Sequence, residues 1–351
     1  MCIRDSYISN EFEPVNDLKL VVGLRVEDFN QFYTGINQAR ETFYNVAVLD
    51  DLDFFPTANV IYALNDNINV RSSFSKTIAR PSFKEASFAT IIDPLSGRTF
   101  IGGFFPDVDV ATGTQVWDGN LRSTDIYNYD VRLELYKERG QNVSISGFYK
   151  SFVNPIEIVQ YVQATNNFQP RNVGDGRVVG VELEFFKYLG DFESRLGNLG
   201  INGNVTLASS SIEMSETEFT SRVNNARVGE EVSNTREMAG QAPYIINAGI
   251  SYKTRSNNIE IGTFYNVKGE TLQYVGIADR PDVFSRPFHS LNISGSYTFG
   301  NDDRLKARFK VDNLLSSDRE SVFQSFNTDD QLFSSLSPNR SISLSISYNI
   351  F

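Results

Sequence analysis

Apolar and polar positions alternate along about a dozen short stretches of this chain, joined by connections that are alternately short and long. The pattern is plainest at 341–351. There Ile342, Leu344, Ile346, Tyr348 and Ile350 share one parity, and Ser341, Ser343, Ser345, Ser347 and Asn349 share the other. Side chains on a strand change face at every residue, so the segment predicts a strand with one apolar and one polar face. The same reading predicts strands at 19–27, 58–64, 68–78, 126–136, 142–152, 178–187, 200–210, 244–253, 258–265, 288–299, 304–313 and 341–351. The stretch 58–64 is the shortest, and the Asn/Asp-rich LNDN at 64–67 predicts a tight hairpin after it.

Several apolar faces are nearly uninterrupted, as in Val179, Val181, Leu183 and Phe185, or Leu305, Ala307, Phe309 and Val311. The opposite faces are strongly polar: Asp130, Arg132 and Glu134 on one strand, Lys306, Arg308, Lys310 and Asp312 on another. Charge rows this dense need water on their side, because desolvated, unpaired charge is costly. The connections run long after 27, short after 64 and very long after 78, and the alternation continues to the end. That rhythm predicts an all-β antiparallel transmembrane β-barrel of an outer membrane, with short periplasmic turns, long outward loops and a periplasmic carboxyl end. Lys76 falls on the Val70/Phe74 face near a strand end, where a long side chain snorkels toward water.

Composition narrows the partners. A net charge of -11 over 351 residues, with no basic stripe, excludes a nucleic-acid partner. No apolar run reaches 18 residues, so no ordinary transmembrane helix is encoded, whereas a membrane strand needs apolar character only at alternate positions. The 28 Phe and 16 Tyr recur near strand ends, where rings suit the headgroup level. With a single cysteine, Cys2, no disulfide framework is expected. The opening MCIRDS has no signal-peptide features. The chain is therefore expected to start partway through a parent protein, and residues 1–6 are set aside from the fold prediction.

Candidate chemistry is sparse, and no catalytic, cofactor or metal site is predicted. His289 is the only histidine, and an ordinary polar role is expected for it. The clusters Asp50/Asp51/Asp53 and Asp107/Asp109 lack EF-hand spacing and read as solvated loops. NVGDGR at 172–177 is followed by no helix and is not a phosphate loop. Arg25, Arg71, Arg132, Glu134, Arg308 and Lys310 share the polar face and are the candidate lumen-lining residues. They line a solute path, grip a plug, or form a plain salt-bridge network, and the last is the default expectation. The long segments 79–124, with small hairpins of its own, and 213–241, polar and read as mobile, are the candidate recognition loops.

The ordered motifs RSSFSKTIARPSFKE (71–85), YNYDVRLELY (127–136), FYKSFVNPIE (148–157), GVELEF (180–185), QAPYIINAGISY (241–252) and VDNLL (311–315), with an aromatic last residue, carry a family resemblance. Together they resemble the carboxyl-terminal barrel of a TonB-dependent outer-membrane receptor of the Bacteroidetes type, over nearly the whole chain. The resemblance implies energised uptake of a scarce solute (an iron chelate, glycan or peptide) without covalent chemistry. It also implies a 22-strand barrel of which this chain is an incomplete, roughly 12-strand portion. The partners implied are outer-membrane lipid, an amino-terminal plug and further strands of the parent, an energy-coupling inner-membrane complex, and a small solute. One departure stands out: Phe351 falls one place off the apolar parity that ends at Ile350. A passive porin-like barrel and a secreted all-β binding module remain the alternatives.

Overall fold

The computed structural model describes residues 2–37, 40–94, 96–108, 113, 115–160, 166–191, 198–254, 256, 258–277, 279–300 and 304–349. Thirteen strands hydrogen-bond side by side in chain order: β1 (Cys2–Val15), β2 (Leu18–Ile36), β3 (Thr42–Asn65), β4 (Ile68–Ala79), β5 (Thr124–Tyr136), β6 (Asn142–Val153), β7 (Gly176–Tyr188), β8 (Leu199–Glu213), β9 (Tyr244–Lys253), β10 (Ile259–Lys268), β11 (Phe288–Phe299), β12 (Leu305–Asp312) and β13 (Ser341–Tyr348). Neighbours are antiparallel throughout, as in Leu183 opposite Ile145 on β6 and Val205 on β8. The two-residue strand Thr235–Arg236 adds to the loop end of β8. β1 and β13 are the sheet's two edges, and no pairing joins them among the described residues.

Two expectations are corrected at the amino end. Residues 2–6, within the segment set aside above, supply most of the first half of β1, which pairs with β2 from Cys2↔Asn30 onward. The stretch 58–64 is the last part of a 24-residue strand rather than a short one. The expected long loop after 27 is therefore a tall hairpin, with β2 and β3 paired from Leu18↔Tyr62 up to Ile36↔Thr42. Leu52 and Phe54 continue the exposed apolar face of Val60, Tyr62 and Leu64 up this strand, interrupted by Asp50, and Val46 and Tyr44 are exposed beyond it. Asp51 and Asp53 lie on the opposite face, so the three aspartates are on a strand rather than in a solvated loop.

Short turns collect at one end of the sheet and long connections at the other. Asp17 makes the first turn with φ +64, a left-handed conformation that Asp tolerates. In the turn after β3, the Asn67 N–H donates to Asn65 Oδ1 at 2.9 Å, an Asx-turn that fixes the predicted hairpin. Asn313, in the VDNLL motif, adopts φ +51. Its side chain donates to the carbonyls of Ser317 and Asn339, both at 3.1 Å, tying together the two ends of the last long loop.

The buried apolar clusters lie at the long-loop end. One is built on Ala86, Phe104 and Leu121, another on Val159, Leu272 and Val275, and a third on Val178, Ile212 and Met238. On the sheet itself, Val131, Leu133, Val143, Ile145, Val179, Val181 and Leu183 stay exposed on one continuous face. The long loops thus form a packed layer with small sheets of their own, including the expected hairpin Thr90–Ile92/Thr99–Ile101 within 79–124. Gly102 shows how tight this layer is: a Cβ there would lie 2.0 Å from the Ser87 carbonyl oxygen. Gly102→Ala is expected to destabilise the loop layer by about 1–3 kcal/mol through overpacking. Amide exchange across 86–105 should speed up while β5–β8 stay protected, and unchanged exchange in that loop would refute the close approach.

Candidate functional site

The six polar-face candidates fall into three separate groups. Arg25 lies between Asp5 Oδ2 at 3.1 Å and Glu27 Oε2 at 2.6 Å, so the amino-terminal segment set aside by sequence supplies one of its partners. Arg71, Arg132 and Glu134 meet directly. Glu134 accepts from Arg71 Nε at 2.6 Å and from Arg132 Nε at 3.0 Å, and Arg132 reaches on to Glu184 at 2.6 Å. Strand register creates this cluster, because Arg71 is directly opposite Arg132 on β5. Ser144 lies opposite both Glu134 and Glu184, with a buried hydroxyl that has no hydrogen-bond partner. Lys310 pairs with Asp312 at 2.9 Å. Arg308, its neighbour on the same face of β12, makes no ion pair among the described residues. Ion pairs thus link several charges around Arg25 and around Glu134, and a single pair joins Lys310 to Asp312.

Above the sheet, Arg80 of the Ala-Arg-Pro motif ties β4 to the tall hairpin. It pairs with Glu27 and, at 2.7 Å, with Asp53, and its guanidinium lies 4.2 Å from the Phe29 ring centroid. Its Nε is buried without a partner. Ser82 and Glu85 close the following turn reciprocally, with the Ser82 N–H donating to Glu85 Oε2 at 2.7 Å and the Glu85 N–H to Ser82 Oγ at 3.4 Å. The quoted motif is thus a strand end, an ion-pair anchor and a capped turn in succession.

Sequence reading missed the two most deeply buried charge clusters, both in the loop layer. Arg171 pairs with Asp107 at 2.5 Å. Gln169, fully buried beside them, accepts from Arg171 Nε at 2.9 Å and donates to the carbonyls of Gly102 and Phe105. This links segment 79–124 to the loop between β6 and β7. The second cluster centres on Arg236, which lies 2.7 Å from Glu157 and 2.6 Å from Glu218. Glu218 belongs to helix α1 (Glu216–Asn224), whose amino end is capped by Ser215 Oγ accepting from the Glu218 N–H at 3.1 Å. Arg222, one turn along, donates both Nη atoms to Asp282 at 2.9 Å, and Asp282 also accepts the Gly276 N–H at 2.7 Å.

Burial alone would disfavour the charge on Arg236, but Glu157 and Glu218 outweigh it and its pKa is raised. The same balance holds at Arg222, where Asp282 prevails over burial. Glu237, next to Arg236, is pushed upward by burial and then by the nearby charges of Asp282 and Glu270. Glu157 Oε2 faces Arg236 Nη2 at 2.7 Å, while Oε1 accepts the Ala239 N–H at 2.7 Å. Segment 213–241, read from sequence as mobile, is instead anchored through α1 and Arg236. The only advance signal was Glu157 inside the quoted FYKSFVNPIE motif, since the spacing of the other members spans separate loops.

The remaining sequence candidates have ordinary surroundings. His289 Nδ1 shares a 2.7 Å hydrogen bond with Tyr265 Oη. Lys76 pairs with Asp125 at 3.0 Å, towards the strand end, beside the Tyr127 ring. Asp51 accepts from Ser123 Oγ at 3.1 Å. Among the described residues no cluster of His, Cys, Asp and Glu is arranged to hold a metal ion. Asp109, Ile350 and Phe351 lie outside the described residues. Four loops together line a half-open pocket of about 690 Å³ that includes Phe168, Phe323 and Phe333.

Known proteins share this architecture. The FrpB iron transporter from Neisseria meningitidis (F3-3 variant) superposes with a TM-score of 0.58 at 13% identity, over 98% of this chain and 44% of that one. The siderophore receptor PirA from Pseudomonas aeruginosa gives 0.58 at 15% identity, over 99% and 48%. The ferric citrate transporter FecA, unliganded, gives 0.64 at 14% identity, over 99% and 44%. The chain therefore spans less than half the length of these solved proteins. No curated protein matches the sequence. The family described as TonB dependent receptor-like, beta-barrel matches residues 3–314. With this match and the antiparallel barrel wall just described, the chain belongs to the TonB-dependent receptor β-barrel family.

Proposed function

We propose that this chain forms barrel wall and outward loops of an outer-membrane receptor in a Gram-negative bacterium, one that captures a scarce solute and passes it inward. One observation carries the reading: the apolar face of the sheet stays exposed while the opposite face holds the paired charges. An apolar surface of this extent needs an apolar solvent, and a row of arginines and carboxylates needs water. Lipid and a hydrated lumen satisfy both together.

On this reading Arg25, Arg71, Arg132, Glu134, Arg308 and Lys310 line the lumen. Work is done by selective binding and gated passage, with no covalent step. A plug and further strands of the same parent protein, and an energy-coupling inner-membrane complex, are the partners that family membership implies. The unpaired edges of β1 and β13 fit this, because open edges in lipid leave backbone groups unsatisfied.

Spin labels placed one at a time along 305–312, in the protein reconstituted in bilayers, test it. Oxygen access is expected at 305, 307, 309 and 311, and access to a water-soluble relaxant at 306, 308, 310 and 312. Equal water access at both sets would end the membrane reading.

A further inference from the structure

The exposed apolar face of the wall changes character at the long-loop end of β7. Leu183, Val181 and Val179 run outward along it, and Arg177 takes the next position of the same parity. Tyr149 lies opposite Val179. Its ring centroid is 6.1 Å from that of Tyr129, which is 5.1 Å from that of Phe74. A row of rings on such a face marks the depth at which hydrocarbon gives way to headgroups. Arg177 stands just beyond that row.

Strand register builds a cradle around it. Ser151 on β6 and Ser211 on β8 lie directly opposite Arg177, one on each side. Its guanidinium and both hydroxyls make no hydrogen bond or ion pair among the described residues. Lys76, another cation on this face, differs in having its own partner, Asp125. Two positions further out, about 7 Å along the strand, the charge reverses. Asp175 lies there beside Glu213, whose backbone N–H donates to the Asp175 carbonyl at 3.0 Å. Both residues are exposed. The Asp175 carboxylate accepts the Asn154 N–H at 3.3 Å, and that of Glu213 has no partner among the described residues. Donors thus sit nearest the hydrocarbon, with acceptors outside them. A guanidinium flanked by hydroxyls suits phosphate oxygens, and the carboxylates beyond suit an ammonium with its three N–H donors. A purely anionic headgroup would face two carboxylates beside its phosphate. A trimethylated ammonium would bring charge but no N–H.

We infer that Ser151, Arg177 and Ser211, with Asp175 and Glu213 beyond them, hold one phospholipid by a phosphoethanolamine headgroup. The acyl chains run down over Val179 and Val181, which places the phosphate at Arg177 and the ammonium at the carboxylates. The inference rests on the membrane reading above and assigns the outer face of the wall a particular lipid partner.

The full chain, purified in detergent, is titrated with dioleoyl phosphatidylethanolamine, phosphatidylcholine and phosphatidylglycerol, and bound lipid is counted by native mass spectrometry. One phosphatidylethanolamine is expected to bind about fivefold more tightly than either other lipid. Arg177→Gln should weaken it by about fivefold, and the uncharged pair Ser151→Ala with Ser211→Ala should act in the same direction. Asp175→Asn with Glu213→Gln should erase the preference over phosphatidylcholine. Strand content by circular dichroism should be unchanged in every variant, since each alters only partly or fully exposed side chains. Phosphatidylglycerol or phosphatidylcholine binding as tightly as phosphatidylethanolamine overturns the inference. So does binding that survives both the Arg177 and the serine substitutions, or the absence of any bound lipid. Glycerophosphoethanolamine, the headgroup without chains, should not displace the lipid at equal concentration, and displacement would overturn a lipid as the occupant. Spin labels along 305–312 report the membrane reading separately. A chain that alternates there and shows no headgroup preference sinks this inference alone.

Discussion

Arg236→Met is expected to cost the loop layer about 3–5 kcal/mol, because it leaves Glu157 with no counter-charge among the described residues, and Glu218 with only Arg222 at 3.1 Å, in a space from which water is excluded. Glu157 and Glu218 are almost wholly buried, with side chains 3% and 6% exposed. Pairing does not prove that this cluster stabilises the fold, since removing charges from water opposes their attraction. Removing one partner is a different matter. Glu157 keeps its desolvation and loses that attraction, retaining only the Ala239 N–H on Oε1 at 2.7 Å, while Glu218 falls back on Arg222. Hydrogen exchange should rise at 156–160, 216–224 and 235–239, which the cluster joins, and remain slow in β5–β7. Arg236→Lys should fall between, as an ammonium keeps the charge but has no planar fork to meet two carboxylates. Arg286→Met, at the exposed pair with Asp330 at 3.1 Å, serves as the control and should cost under about 1 kcal/mol. If Arg236→Met left exchange unchanged in all three segments, the anchoring role assigned to this cluster would be wrong.

Leu183→Arg should destabilise the protein in lipid vesicles by about 2–4 kcal/mol, the cost of a cation near the bilayer midplane. Leu183 sits mid-strand on the exposed apolar face, flanked by Ile145 and Val205. Ser146→Arg, on the polar face of β6 opposite Arg132 and Glu182, should shift stability by less than half as much. Denaturant midpoints of the two variants, measured in the same vesicles, make the comparison. Equal losses would contradict the division of the sheet into a lipid side and a water side.

Much of the wall was legible because its signal is local. Parity along β12 and β13 placed Leu305, Phe309, Ile342 and Leu344 on one face, and the structure keeps them there. Asn65 and Asn67 marked their hairpin for a reason visible in four residues. The tall β2–β3 hairpin was missed although β3 alternates through Tyr44, Val46, Leu52 and Phe54, because the aspartates at 50, 51 and 53 break the run and read as a solvated loop. Residues 2–6 were missed for a different reason: the opening was set aside with the expected start partway through a parent protein, so its pairing with β2 was not sought. In the loops, Glu157, Glu218 and Arg236 looked like ordinary solvated charges. Their significance comes from meeting across gaps of tens of residues, which no spacing rule encodes.

The sequence by itself determined the strand periodicity, the two-sided sheet and the rhythm of short turns and long loops, because each depends on side chains within a few residues of one another. Only the tertiary structure decided which charges pair, that the long loops pack into an ordered layer, and that four of them line one half-open pocket. Those outcomes depend on segments brought together by strand order and register, and burial then turns a charge that would cost nothing in water into one that must find its partner.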